Sequence, residues 1–90
     1  MAQLRYTRQF ERDIIRMRAR GKDLLKIRIL IETLAKDMLP DPLHRDHKLA
    51  GIWKGRRECH IESDWLLIYK REGDLLIFER TGTHSDLFRK

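Results

Sequence analysis

The spacing of apolar residues predicts an α+β protein in which a two-helix hairpin packs on a small, mainly antiparallel four-stranded sheet. Helical spacing is confined to the first 40 or so residues, strand-like runs follow from residue 56 onward, and Pro40 and Pro42 stand between the two regimes.

The opening segment, Gln3 to Tyr6, is short enough to be an edge strand. From Thr7 the pattern becomes helical: Phe10, Ile14 and Met17 fall at i, i+4 and i+7 with charged residues between them, and Gly21 offers a left-handed stop. A second helix begins near Lys22 or Asp23. It sets Leu24, Ile27, Ile31, Leu34 and Met38 three or four residues apart until the prolines end it. Beyond Pro42, Arg56 to Glu62, Trp65 to Arg71 and Leu75 to Thr81 read as three strands of a meander, with tight connections at Ser63-Asp64 and Glu72-Gly73-Asp74. The run Trp65-Leu66-Leu67-Ile68-Tyr69 is apolar at successive positions, as expected of a central strand covered on both faces.

Ninety residues suffice for one compact domain, taken as residues 1–90, and the chain shows no internal repeat, low-complexity run or linker. With 41% hydrophobic and 38% charged residues it can build a core under a highly charged surface, which argues against disorder. The net charge of +6 favours a polyanionic partner, because basic side chains displace counterions condensed on phosphates, but charge alone names no nucleic acid. Cys59 is the one cysteine, so neither an intramolecular disulfide nor a cysteine zinc cluster is possible. No apolar run approaches the ~18 residues of a membrane span, and a reducing, cytoplasmic location with no membrane partner is expected.

Four histidines, His44, His47, His60 and His84, are spread over a loop, a strand and the chain end, without the convergent spacing of metal ligands. No metal or other cofactor is expected. Glu58 and His60, two apart on a strand, leave the same face, with Cys59 and Ile61 pointing to the other. Alone, this pair also reads as a solvated face with Glu58 paired to an arginine, and Asp64 as a turn residue bonded to its own backbone. His47 lies in a loop before the sheet, and His84 follows Gly82, which permits a sharp change of direction.

Cutting RNA without a metal needs a base for the 2′-hydroxyl proton, a cation for the phosphorane and an acid for the departing oxygen. Histidine suits both proton roles and arginine or lysine the middle one, which makes Arg80, Arg56, Arg57 and Lys54 candidates.

A family resemblance joins these parts. Asp46-His47-Lys48-Leu49, Gly51-Ile52-Trp53-Lys54-Gly55, Glu58-Cys59-His60-Ile61-Glu62, Asp64-Trp65-Leu66-Leu67-Ile68-Tyr69-Lys70 and Phe78-Glu79-Arg80-Thr81-Gly82-Thr83-His84 with Leu87-Phe88 closely resemble YafQ-type toxins of the RelE/ParE superfamily. Tyr6-Thr7 leading into Phe10 and Asp13 resembles the start of the first helix in that family. The resemblance implies a RelE-like fold, ribosome-dependent endonucleolytic cleavage of messenger RNA, and restraint by a cognate antitoxin. Carried over by position, the functional residues fall on His47, His60, Asp64 and His84, with an acidic position at Glu58 and an aromatic one at Phe88. Glu58 stands where the family has Asp, and Lys48 replaces the usual proline after the loop histidine. The expected division of labour gives His47 and His84 the base and acid roles in either order. His60 and Asp64 orient them, Arg80 stabilises the phosphorane and Phe88 stacks on a base. Two rivals share the basic surface: a ParE-like inhibitor of a topoisomerase and a non-catalytic RNA-binding module. The three aligned histidines distinguish the ribonuclease from the first, and a cut product distinguishes it from the second.

Overall fold

A computed structural model describes residues 2–88 and contains β1 (Gln3–Tyr6), α1 (Arg8–Ala19), α2 (Leu24–Ala35), β2 (His47–Lys48), β3 (Arg57–Glu62), β4 (Trp65–Glu72), β5 (Leu75–Gly82) and α3 (His84–Phe88). The strands form one sheet in the order β1-β5-β4-β3-β2, with β1 parallel to β5 and every other pair antiparallel. The α+β class and helical hairpin agree with the sequence reading. The strand count rises from four to five, because two residues of β2 are too few to leave a period in the sequence.

Thr7 joins the first two elements. Its hydroxyl caps α1 by accepting from the Phe10 backbone N–H at 3.0 Å and donates to the Glu79 carbonyl at 2.9 Å, so the helix starts where β1 leaves β5. At the other end Gly21 has φ +84°. The Gly21 and Lys22 N–H groups close back on the carbonyls of Arg18 and Met17, the expected left-handed stop. The second helix ends sooner than its apolar spacing predicts. Asp37 takes φ +57°, and the N–H groups of Asp37 and Met38 bond the carbonyls of Leu34 and Thr33. A non-glycine residue thus makes the same left-handed cap, which turns Met38 out to solvent.

The hairpin covers one face of the sheet. Phe10, Met17, Ile27, Leu30, Ile31 and Leu34 pack on Cys59, Ile61, Trp65, Leu67, Tyr69, Leu76 and Phe78. On the opposite face Leu66, Ile68 and Leu87 form a smaller cluster bordered by Leu49, Trp53 and Phe88. The central strand β4 is therefore apolar at consecutive positions because both of its faces are covered.

Two irregularities redirect side chains. Between His60 and Glu62 the β3–β4 register slips by one residue, so Ile61 enters the main core while its neighbour Glu62 also reaches the helical side, meeting Lys22 at 2.7 Å and Lys26 at 2.8 Å. A second slip, opposite Ile68 and Tyr69, leaves Glu79 as the extra residue on β5. Just beyond it, Arg80 reaches α1 and grips the fully buried Asp13 through two nitrogens, at 2.8 and 3.2 Å. The Thr81 backbone N–H adds a third bond to the same carboxylate at 3.1 Å.

Candidate active site

The side chains on the sheet face away from the hairpin converge because of register. β2 pairs antiparallel with β3 so that His47 lies opposite Glu58, and the β3 alternation puts His60 on the same side as Glu58. His84 arrives from β5 after the turn at Gly82 and Thr83, at the first residue of α3.

The three imidazoles are neighbours. Ring centroids are 6.3 Å apart for His47 and His60 and 5.8 Å apart for His60 and His84. Glu58 lies beneath them with its side chain only 6% exposed; one carboxylate oxygen is 3.2 Å from His60 Nε2 and 3.5 Å from His47 Nε2. The side chains of His47 and His84 are each 48% exposed, whereas that of His60 is 14% exposed. Two rings therefore face solvent, with a third, largely covered ring beside both.

Hydrogen bonds fix how the outer rings present their nitrogens. His47 Nδ1 is 2.6 Å from the Arg45 carbonyl, and a carbonyl can only accept, so the proton is on Nδ1 and Nε2 is turned toward the site. His84 Nδ1 is 2.5 Å from Asp64 Oδ1, and the same oxygen accepts from the His84 backbone N–H at 2.8 Å. That pair of bonds from His84, backbone first and ring second, lowers the Asp64 pKa below the ordinary aspartate value. Asp64 is thus an anion that leaves His84 Nε2 for chemistry. The turn aspartate is bonded, through backbone and ring, to a residue 20 positions away.

The cation candidates fare differently. Arg57 sits on β3 between Cys59 and the loop and faces the hairpin side, where its Nε is 2.6 Å from Asp46, so strand alternation keeps it out of the site. Arg56 is held by Glu79 at 3.1 Å. Arg80 is committed to Asp13, which makes it a structural tie between sheet and α1 and not a group aimed at a phosphate. Lys54 is exposed, next to Trp53. The Trp53 ring meets Phe88 edge-on at 6.4 Å, and Phe88 lies 6.3 Å from His84, so an aromatic wall leads from the rings to Lys54.

Sequence reasoning passed over two residues that shape the site. His44 Nδ1 donates to the His60 carbonyl at 2.6 Å, tying the turn at Pro42–His44 to β3 behind the catalytic candidates. Asp86 caps the start of α3 by accepting from the Thr83 N–H at 2.9 Å, and it anchors that helix to Arg20 at 2.6 and 3.1 Å and to Arg16 at 3.4 Å. A side chain at residue 82 would come within 2.9 Å of the Asp86 side chain, so Gly82 is required by packing. The Thr83–Asp86 cap has a local signal in its three-residue capping-box spacing, whereas the His44 contact and the Arg20 anchor, 66 residues away, have none.

Residues 2–89 match the family described as the bacterial toxin of type II toxin-antitoxin systems, YafQ. The mRNA interferase toxin YafQ of Escherichia coli strain K12 is 45% identical over 86 residues, covering 94% of each chain. The crystal structure of the E. coli DinJ–YafQ complex contains a chain that superposes with a TM-score of 0.91 at 43% identity, covering 98% of this chain and 99% of that one. A copper-bound mutant toxin from Helicobacter pylori superposes with a TM-score of 0.93 at 40% identity, covering 98% of this chain and all of that one.

Proposed function

The chain belongs to the YafQ family of toxins of bacterial type II toxin-antitoxin systems, and on that premise we propose that it is an mRNA interferase that cuts messenger RNA on the ribosome by metal-independent general acid–base chemistry. The observation that carries this reading is the pair of half-exposed imidazoles, each with its Nδ1 proton already engaged, flanking a covered third ring.

His84 is the base. Asp64 accepts from Nδ1, so Nε2 of the neutral ring offers its lone pair to the 2′-hydroxyl, and Asp64 stabilises the imidazolium that results. The 2′-oxygen attacks the adjacent phosphorus and the bond to the 5′-oxygen breaks. His47 is the acid: its Nε2 is turned toward the site, and a proton carried there passes to the leaving 5′-oxygen. The products are a 2′,3′-cyclic phosphate and a 5′-hydroxyl, with one proton taken up and one released. Glu58 contacts His47 and His60, and the His60 ring lies 6.3 Å from that of His47 and 5.8 Å from that of His84, so both outer rings adjoin it. Lys54 supplies a cation at the rim, and Phe88 provides a face for base stacking, worth about 1 to 3 kcal/mol.

The partners on this reading are messenger RNA, the ribosome and a cognate antitoxin, as DinJ is to the E. coli toxin. The net charge of +6 suits both an RNA and an acidic antitoxin segment. Work on ribosomes places the protein in the cytoplasm; among the described residues no helix is long and apolar enough to cross a membrane.

The test is cleavage of a programmed messenger by purified ribosomes, with the termini of the fragments identified. Cyclic phosphate and 5′-hydroxyl ends, lost in the His47→Ala and His84→Ala proteins, are expected. Ends bearing a 5′-phosphate would point to a metal-activated water, and parent-like cutting by both variants would remove the histidines from the reaction.

A further inference from the structure

β2 is two residues long and at the edge of the sheet, with only His47 opposite Glu58 and Lys48 opposite Arg57 in register. So short a ladder has little capacity to hold its own position. The residue before it is unusually well anchored. Asp46 puts its carboxylate through to the hairpin side of the sheet, where one oxygen is 2.6 Å from Arg57 and the other accepts from the Tyr69 hydroxyl and, at 3.1 Å, from the Cys59 thiol. These donors stand on neighbouring strands β3 and β4, so the anchor ties the segment before β2 to two strands of the sheet. Burial, reinforced by the bond to Asp46, pushes the pKa values of both Tyr69 and Cys59 up, so each remains a proton donor at neutral pH.

Because successive side chains of an extended segment leave opposite faces, drawing Asp46 into the sheet on one side presents His47 on the other. The residue on its other flank, Arg45, takes φ +49°, and its carbonyl receives the His47 Nδ1 proton. One three-residue stretch therefore carries the anchor, the tautomer lock and the ring. We propose that Asp46 is a positioning residue for His47: its clamp by Arg57, Tyr69 and Cys59 holds β2 in register and fixes His47 with Nε2 facing the site.

The proposal rests on His47 taking part in cleavage, and two independent readouts separate the one claim from the other. Nitrogen-15 spectra of the imidazoles report the His47 tautomer in the folded protein without reference to activity. Single-turnover cleavage on ribosomes reports its consequence. In the Asp46→Ala protein, His47 is expected to lose its preference for the Nδ1–H form while the spectra of His60 and His84 stay in place. Its cleavage rate should fall by about 10- to 100-fold, at or below the lower end of the roughly 10²- to 10⁴-fold that outright removal of a general acid or base produces. The Asp46→Ala/His47→Ala double variant should cut no more slowly than His47→Ala alone. Tyr69→Phe, which removes one donor and leaves Asp46 paired to Arg57, should move both readouts the same way by a smaller amount, and it serves if Asp46→Ala does not fold. An unchanged His47 tautomer in these variants, or Asp46 and His47 losses that simply multiply, would overturn the proposal. Full activity in His47→Ala would instead overturn the catalytic reading of that ring, with the tautomer measurement still deciding what Asp46 does.

Discussion

The two faces of the sheet are built from different material. The hairpin face carries Trp65, Leu67, Leu76 and Phe78, all fully buried, under the apolar stripes of α1 and α2. Across the sheet a cluster of Leu66, Ile68 and Leu87 leaves room for Glu58 and His60, with His47 and His84 at its border. Most of the burial that stabilises the fold lies on one side, and the clustered imidazoles with Glu58 lie on the other. This separation lets a 90-residue chain hold a carboxylate and three imidazoles close together without compromising its core.

The separation predicts that chemistry and stability respond to different substitutions. On the site face, His84→Ala should slow messenger cleavage by about 10²- to 10⁴-fold, the range for loss of a general acid or base, while thermal melting shows little change. The hydrogen bond lost with the ring is an exposed one to Asp64, and the ring otherwise only adjoins His60 and Phe88. A large fall in melting temperature would show that the ring supports the fold and would blur the division. On the hairpin face, Leu67→Ala should reverse the pattern, lowering the unfolding free energy in urea by about 2 to 5 kcal/mol while the cleavage rate of the folded fraction is preserved.

Phe88 touches both descriptions, because it borders the small cluster and lies beside His84. Phe88→Ala should weaken binding of single-stranded RNA by about 1 to 3 kcal/mol if the ring stacks on a base, whereas a loss confined to thermal stability would assign it to packing. Lys54→Ala should have the smallest effect. Binding should weaken uniformly across RNA sequences, with the slope of log affinity against log salt reduced by about one; an unchanged slope would place Lys54 away from phosphate.

Acid conditions probe the anchor of α3. Arg20, the largest influence, and the Thr83 bonds hold the Asp86 pKa below the ordinary aspartate value, so the stability it contributes is present above that value and is lost as pH falls through the lowered one. Asp86→Asn should therefore flatten the acid limb of a melting-temperature profile while leaving its neutral plateau lower than the parent's. A parent-like acid limb would show that the pair contributes nothing to folding.

Much of this architecture was legible in the sequence where local rules apply. Gly21 announced the end of α1 because a left-handed cap favours glycine, and the apolar run of β4 announced a doubly covered strand. The common face of Glu58 and His60 followed from period two. The remainder depended on contacts distant in sequence. Asp37 adopts the left-handed cap without being glycine, so the second helix read as longer than it is. Arg80 read as a phosphate ligand until Asp13, 67 residues earlier, was seen to occupy it. Arg57 read as part of the basic surface, but its strand parity sends it to Asp46. Proximity of His84 to His60 depends on the β5–α3 turn, for which Gly82 and the Thr83–Asp86 capping-box spacing are local signs, while the contact itself is distant in sequence.

Two imidazoles carry one proton transfer each, and a substrate with sulfur in place of the scissile 5′-oxygen tests this directly. A thiolate leaves without being protonated, so loss of the acid should cease to matter while loss of the base should not. On ribosomes programmed with such a messenger, His47→Ala is predicted to cut at close to the parent rate and His84→Ala to remain slow. If both variants stay equally slow, or both cut the ordinary messenger as fast as the parent, the two rings do not divide the work as described.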